Sequence, residues 1–282
     1  MNELAKRSVS GALYVALIVA AFLTADRWPW GLVLVFTFFY FAGAWELSNL
    51  LGLNRSGFLV MAALGWLFYL VTYTGVWQVP AGPLQYMLSA SALLFFAGWL
   101  LSLIKGMDGL LARAFAYTGG TAYLLLPLMF ALSFPDMAFT VMVILWLYDS
   151  FAYLTGKRWG RHKLAPRLSP GKSVEGLVGG TLLTMAAFAL IKPWLSRLHL
   201  PPGMVHEAHL LDGAGGYLLV LGVILTGTLG DLLESWLKRR AGVKDSGQLI
   251  PGHGGILDRL DSFMLNGIVF WLMVWITLIW SM

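Results

Sequence analysis

The sequence predicts an all-α, polytopic integral membrane protein with about nine transmembrane helices. Three observations carry that reading. Of 282 residues, 59% are hydrophobic and only 12% are charged, whereas soluble domains carry about 25% charged residues. Mean hydropathy is +0.75. Apolar stretches of the length a bilayer core demands of a helix, about 20 residues, follow one another almost end to end. This composition excludes a disordered chain, a soluble globular enzyme and a surface-bound amphipathic module. The 13 Trp and 10 Tyr fit many interfacial crossings, because amphipathic rings settle at headgroup level. With no cysteine, disulfides, iron–sulfur clusters and thiolate metal sites are ruled out.

Taken in order, the apolar stretches are 9–25, 30–45, 57–76, 84–104, 114–133, 137–155, 174–191, 214–232 and 263–281. Pro/Gly turns separate several of them: Pro29-Trp30-Gly31, Pro80-Ala81-Gly82-Pro83 and Pro201-Pro202-Gly203. The first stretch follows Lys6 and Arg7 as a signal peptide would. No small-x-small cleavage site follows it, so it is expected to be retained. No internal repeat, low-complexity tract or soluble domain is visible. The longest polar segments are 156–173, 192–213 and 233–262.

Nine spans place 16 Lys and Arg on one side and only Arg27, Lys192 and Arg197 on the other. Cytoplasmic loops carry the basic excess. The N-terminus is therefore expected in the cytoplasm and the C-terminus outside, with 156–173 and 233–262 both cytoplasmic. The Asn54-Arg55-Ser56 sequon then lies on the cytoplasmic side, away from glycosylation enzymes. The external segment 192–213 carries His199, His206, Glu207, His209 and Asp212. Their spacing lacks a helical or hairpin ligand pattern, and a solvated loop accounts for them better than a metal site.

The cytoplasmic side is where polar residues become expensive or crowded. Asp149 lies within the sixth stretch, where a mid-membrane carboxylate costs roughly 2.5–3.5 kcal/mol on insertion scales. A packing carboxylate with a basic partner and a polar site between helices both fit it. Six cations follow in residues 157–172, enough for topology and anionic-lipid contact alone. Gly171-Lys172-Ser173 resembles the end of a P-loop, but that motif needs Gly where Pro166 stands. No strand is expected before it in a helical bundle, and the P-loop reading fails on both counts. A lysine between Ser169 and Ser173 still makes a reasonable phosphate cradle, with Glu175 at the mouth of the seventh span.

At the end of the eighth span, Asp231, Glu234, Ser235 and Lys238 share one helix face by their i, i+3, i+4, i+7 spacing. Gly252-His253-Gly254-Gly255 permits close backbone approach to an anion. Asp258 and Asp261 share a face where the ninth helix begins. Four aspartates (Asp231, Asp245, Asp258 and Asp261) and five cations thus fall within 31 residues. Hard oxygen ligands without thiols suit Mg²⁺, which keeps its waters for phosphates. The pattern points to Mg²⁺–polyphosphate chemistry, against the alternative of a solvated loop.

From Ser235 to Asp261 the chain reads Ser-x-Leu-Lys-Arg, four residues, then Lys-Asp-x-Gly-x-x-Ile-Pro-x-His-Gly-Gly-Ile-x-Asp-Arg-Leu-Asp. This resembles the full 27-residue signature of the phosphatidate cytidylyltransferases, or CDP-diacylglycerol synthases. Asp149-Ser150 through Ser169-Pro170-Gly171-Lys172-Ser173-Val174-Glu175-Gly176 is similar too. Ser173 stands where the family often has Thr, and Tyr148 where it often has a small residue.

The resemblance implies that CTP and phosphatidate react to CDP-diacylglycerol and pyrophosphate, for phospholipid biosynthesis. It implies one membrane domain over 1–282, with N-terminal helices in 1–135 and catalytic helices and cytoplasmic loops in 136–282. Asp231, Asp258, Lys238 and Lys244 are the implied catalytic residues. Asp231, Asp258, Asp261 and Asp245 are the implied ligands of Mg²⁺, with a second cation as an open alternative. Ser169, Lys172, Ser173, Ser235, Arg239, His253, Gly254, Gly255 and Arg259 would hold CTP or lipid phosphates. Partners are then CTP, phosphatidate and membrane lipid, with no nucleic acid. A homodimer is expected by family analogy alone. Two rivals differ in class: another CTP-using membrane enzyme, such as a polyprenol kinase or an ether-lipid cytidylyltransferase, and a transporter whose acids line an ion path. The long signature favours phosphatidate. A transporter has no need of the cytoplasmic Lys/Arg/Asp/Gly concentration, and no inverted repeat is visible.

Overall fold

A computed structural model describes residues 3–25, 27–76, 83–195, 213–250, 252 and 254–281. Among them are nine helices: α1 Glu3–Leu23, α2 Pro29–Leu50, α3 Asn54–Val76, α4 Pro83–Lys105, α5 Gly109–Ser133, α6 Pro135–Trp159, α7 Val174–Leu195, α8 Gly213–Arg240 and α9 Leu257–Ser281. Each falls on one of the nine apolar stretches. Helices are the answer hydrocarbon imposes, since every backbone N–H and C=O must find its partner within the segment. Proline opens α2, α4 and α6, where its missing N–H costs nothing. Among the described residues, five helices are long and apolar enough to cross a bilayer: Pro29–Leu50, Gly109–Ser133, Pro135–Trp159, Val174–Ile191 and Ala214–Arg240. The protein is an all-α polytopic membrane protein.

One expectation is overturned. A short antiparallel hairpin, β1 Lys163–Ala165 and β2 Ser169–Ser173, links α6 to α7. Lys172 lies in the second strand, so strands do occur beside Gly171-Lys172-Ser173. The segment is polar and rich in Pro and Gly. Closure between two adjacent helix ends, more than side-chain alternation, brings its backbones together. The P-loop reading still fails, because Pro166 stands where its first glycine is required.

The core is built around α5, whose residues Gly119 through Ala131 are buried on every side. Helices α2, α3, α4 and α9 pack around it. Phe130 meets Phe270 with ring centroids 4.2 Å apart, and Trp271 donates its indole N–H to the Leu126 carbonyl at 2.8 Å. Tyr148 is buried in α6 and accepts a hydrogen bond from Thr228 of α8 at 3.1 Å. The larger residue at that position thus ties two helices together.

Helices α6, α8 and α9 run past their apolar stretches into the polar segments that carry the candidate site. α6 continues to Trp159, α8 continues to Arg240, and α9 begins at Leu257. These polar extensions meet at one end of the bundle. Small residues let the backbones of α6 and α7 touch there, as in close-packed membrane helices. A Cβ on Gly176 would lie 2.9 Å from the Ala152 carbonyl oxygen, and one on Gly180 would lie 2.9 Å from the Ala152 amide nitrogen. Gly180→Leu should therefore force the pair apart, at a cost of roughly 1–3 kcal/mol or more for overpacking. A lower unfolding temperature in detergent is the expected readout.

Candidate active site

The hairpin is clamped at its base. Ser173 is buried, and its hydroxyl oxygen accepts the Gly176 N–H at 3.0 Å. It thereby caps α7, satisfying an amide that the first helical turn leaves unpaired. Glu175 accepts the backbone N–H of Arg161 at 3.0 Å and of His162 at 3.1 Å, and pairs with His162 Nδ1 at 2.6 Å. These contacts fix the strand that carries Lys172. The Lys172 ammonium reaches across to α8 and pairs with Asp231 Oδ2.

The level of Asp231 is set by a close crossing of α8 and α9. A Cβ on Gly230 would lie 2.6 Å from the Asp261 carbonyl oxygen, so only glycine permits this approach. Ser235 donates to Asp231 Oδ1 at 3.2 Å, one turn further on. One face of α8 then presents Glu234 and Lys238, both buried. Lys238 Nζ lies 2.6 Å from Asp258 Oδ1 and 3.3 Å from Glu234 Oε1.

Asp258, in the first turn of α9, organises the loop before it. Its Oδ2 accepts N–H bonds from Ser246 at 2.9 Å and Gly255 at 2.8 Å. The Ser246 hydroxyl lies 3.0 Å from the same oxygen. Gly254 has φ +84°, a left-handed conformation, and a Cβ there would lie 2.6 Å from Asp258 Oδ2. Glycine is needed at that turn for both reasons.

The structure brings together most of the residues the sequence singled out. Lys172, Asp231 and Ser235 form one bonded set, and Lys238, Asp258 and Gly255 form a second that shares α8 with it. Asp149 lies in electrostatic range of Lys172, Asp231 and Arg259. Asp261 lies in range of Asp231, Asp149 and Lys238, and its Oδ1 accepts the Ser262 N–H at 2.6 Å. Lys244 and Asp245 are exposed in the loop, and a Cβ on Gly254 would stand 3.6 Å from that of Asp245. Arg239 is exposed and donates to the Val243 carbonyl at 3.3 Å, and Arg259 is exposed at the start of α9. Ser169 is half-buried and pairs with Ala165 across the hairpin. His253 lies outside the described residues, as do His199, His206, Glu207, His209 and Asp212.

Sequence reading missed Glu46. It is buried in α2 and accepts hydrogen bonds from Ser246 Oγ at 2.9 Å, Ile256 N at 2.9 Å and Leu257 N at 3.0 Å. The second apolar stretch stops at residue 45, but α2 runs on to Leu50 and carries Glu46 into the bundle, where a buried carboxylate demands a partner.

Among the described residues, no three His, Asp or Glu side chains form a ready cage for a metal ion. Mg²⁺ needs none, because it is commonly held by one or two carboxylates together with substrate phosphates. The all-oxygen donor set here fits that habit. Each of the two central carboxylates, Asp231 and Asp258, already carries a lysine as counter-charge.

Comparison with known proteins identifies the family. The profile of the cytidylyltransferase family matches residues 5–277. A phosphatidate cytidylyltransferase of Thermotoga maritima is 32% identical over 276 residues, which is 94% of this chain and 93% of its own length. Phosphatidate cytidylyltransferases of Haemophilus influenzae and Staphylococcus aureus are 46% and 49% identical over 122 residues, 43% of this chain. Those matches span 40% and 42% of the two relatives. The chain belongs to the cytidylyltransferase family, and it is a membrane nucleotidyltransferase.

Proposed function

We propose that this enzyme transfers the cytidylyl group of CTP to phosphatidate, releasing pyrophosphate and leaving CDP-diacylglycerol in the membrane. The observation that carries the reading is the double ion pair, Lys172 on Asp231 and Lys238 on Asp258. Carboxylates and lysines that pair with each other when alone offer matched partners to a cation and a triphosphate. The cluster sits where polar helix extensions leave the bundle, so a soluble nucleotide and a lipid headgroup can meet there.

A phosphatidate oxygen forms a bond to the α-phosphorus of CTP as the bond to the β-phosphate oxygen breaks. That nucleophile is ionised near neutral pH, so no strong base is required. The demands are in-line positioning and neutralisation of charge on the triphosphate. Lys172, Lys238, Lys244, Arg239 and Arg259 supply positive charge, and Ser169, Ser173, Ser235 and the Gly254-Gly255 turn complete the surroundings, with His253 beside them in sequence. Asp231 and Asp258, with Asp261 and Asp245 beside them, would hold Mg²⁺, which draws charge from the phosphates and orients them.

The test is the fate of label in purified protein given CTP, phosphatidate and Mg²⁺. Label at the α-phosphate should enter the lipid, and label at the γ-phosphate should leave as pyrophosphate. Transfer of γ-label to a lipid would mean a kinase instead. An ether-lipid phosphate that outcompetes phosphatidate would redirect the acceptor assignment.

The reading includes a setting: nine crossings of the cytoplasmic membrane, the N-terminus and active site cytoplasmic, the C-terminus outside. The 16-to-3 distribution of Lys and Arg supports it. Cysteines placed at Arg161, Leu249 and His206 of this Cys-free chain report it. In intact cells an impermeant thiol reagent should label only the third position, and labelling of either of the first two would reverse the orientation. A homodimer is the proposed assembly, to be checked by light scattering in detergent.

A further inference from the structure

Glu46 has no part in the phosphate chemistry above, yet it is bonded near both ends of the loop that serves it. It is 3% exposed, in the C-terminal half of α2, and its partners lie 200 to 211 residues away in sequence. Oε1 accepts the Ile256 N–H, and Oε2 accepts the Leu257 N–H and the Ser246 hydroxyl. The first two are unpaired amides at the start of α9, where the helix end is positive and a carboxylate is welcome. A Cβ on Gly247 would lie 2.8 Å from the Glu46 carboxyl carbon, so the loop is wrapped tightly around this side chain. The Ser246 hydroxyl stands between two carboxylates, 2.9 Å from Glu46 and 3.0 Å from Asp258. It has one proton to give. The Ser246 amide is bound to Asp258 at the same time.

We infer that Glu46 is a positioning residue for cytidylyl transfer. It anchors Ser246, Ile256 and Leu257 and thereby fixes Asp258, and through Asp258 the ammonium of Lys238. Nothing about Glu46 requires contact with CTP. The inference rests on the function proposed above, and wild-type protein run alongside keeps the two apart.

The test uses Glu46→Gln, which keeps shape but turns one accepting oxygen into a donor facing N–H and O–H groups. A nitroxide on a cysteine at Leu249, an exposed loop position, reports loop motion directly. Glu46→Gln should remain folded, lower kcat by about 10–100-fold, the scale of misplacing a reacting group by an ångström, and sharpen the nitroxide spectrum. KM for phosphatidate should hardly move. Glu46→Asp, which restores the charge, should recover part of both signals. If Glu46→Gln fails to fold, Ser246→Ala carries the same test by removing one bond to the same carboxylate. A wild-type nitroxide spectrum with wild-type kcat, or a loss of activity that only tracks loss of folded protein, overturns the inference. A wild-type enzyme that makes no CDP-lipid overturns the proposed function, and this inference with it.

Discussion

Asp231→Asn should cut CTP turnover by at least about 100-fold, the scale of losing a main electrostatic stabiliser, without unfolding the protein. Asp231 is held at the close crossing of α8 and α9, where Gly230 lets the helices touch. Its side chain is 22% exposed, so it faces the opening of the site and not the core. The substitution keeps shape and the contact with Ser235. It removes the negative charge that Lys172 now neutralises and that Mg²⁺ would take. Turnover at matched protein levels and saturating Mg²⁺ is the measurement. Near wild-type rates would contradict the assignment of this carboxylate to the metal.

The two lysines should fail in different ways. Lys172 is 23% exposed and pairs with one carboxylate. Lys172→Ala should leave a folded enzyme that has lost roughly 1.5–3 kcal/mol of transition-state binding, the worth of a hydrogen bond to a charged group. Lys238 is 10% exposed and stands between Asp258 and Glu234. Removing it strands two buried carboxylates, and breaking a buried pair from one side costs about 3–5 kcal/mol. Lys238→Ala should therefore lower both turnover and the unfolding temperature. Lys105→Ala, at the end of α4 and away from this cluster, serves as the control and should be nearly silent. If the three variants behave alike, the lysines are topology signals only.

The helical bundle was legible because hydrocarbon leaves few choices. Nine apolar stretches became nine helices among the described residues, with Pro29 and Pro83 opening α2 and α4. The candidate site was legible for the same reason, since charge is scarce in this chain and its crowding at 149–175 and 231–261 stands out. What could not be read was pairing. Nothing local says that Lys172 meets Asp231, 59 residues on, or that the amides after the glycine turn serve Asp258 and Glu46. Helix ends were also misjudged, because α2 stays helical for five residues beyond its apolar stretch, through Leu50. Backbone hydrogen bonds continue into water where side chains can too, and hydropathy does not see them. The hairpin escaped because its strands are three and five residues long and neither alternates. Glu46 escaped because its apolar stretch was ended at residue 45, one position short of it.

The central claim is that CTP reacts at the junction of the hairpin, α8 and α9. The most direct measurement is a structure of the protein with Mg²⁺ and a CTP analogue that cannot be cleaved at the α-phosphate. The account predicts a triphosphate within hydrogen-bond reach of Lys172, with Mg²⁺ on Asp231. A nucleotide bound elsewhere in the bundle, with the Lys172–Asp231 and Lys238–Asp258 pairs intact beneath an empty junction, would contradict it.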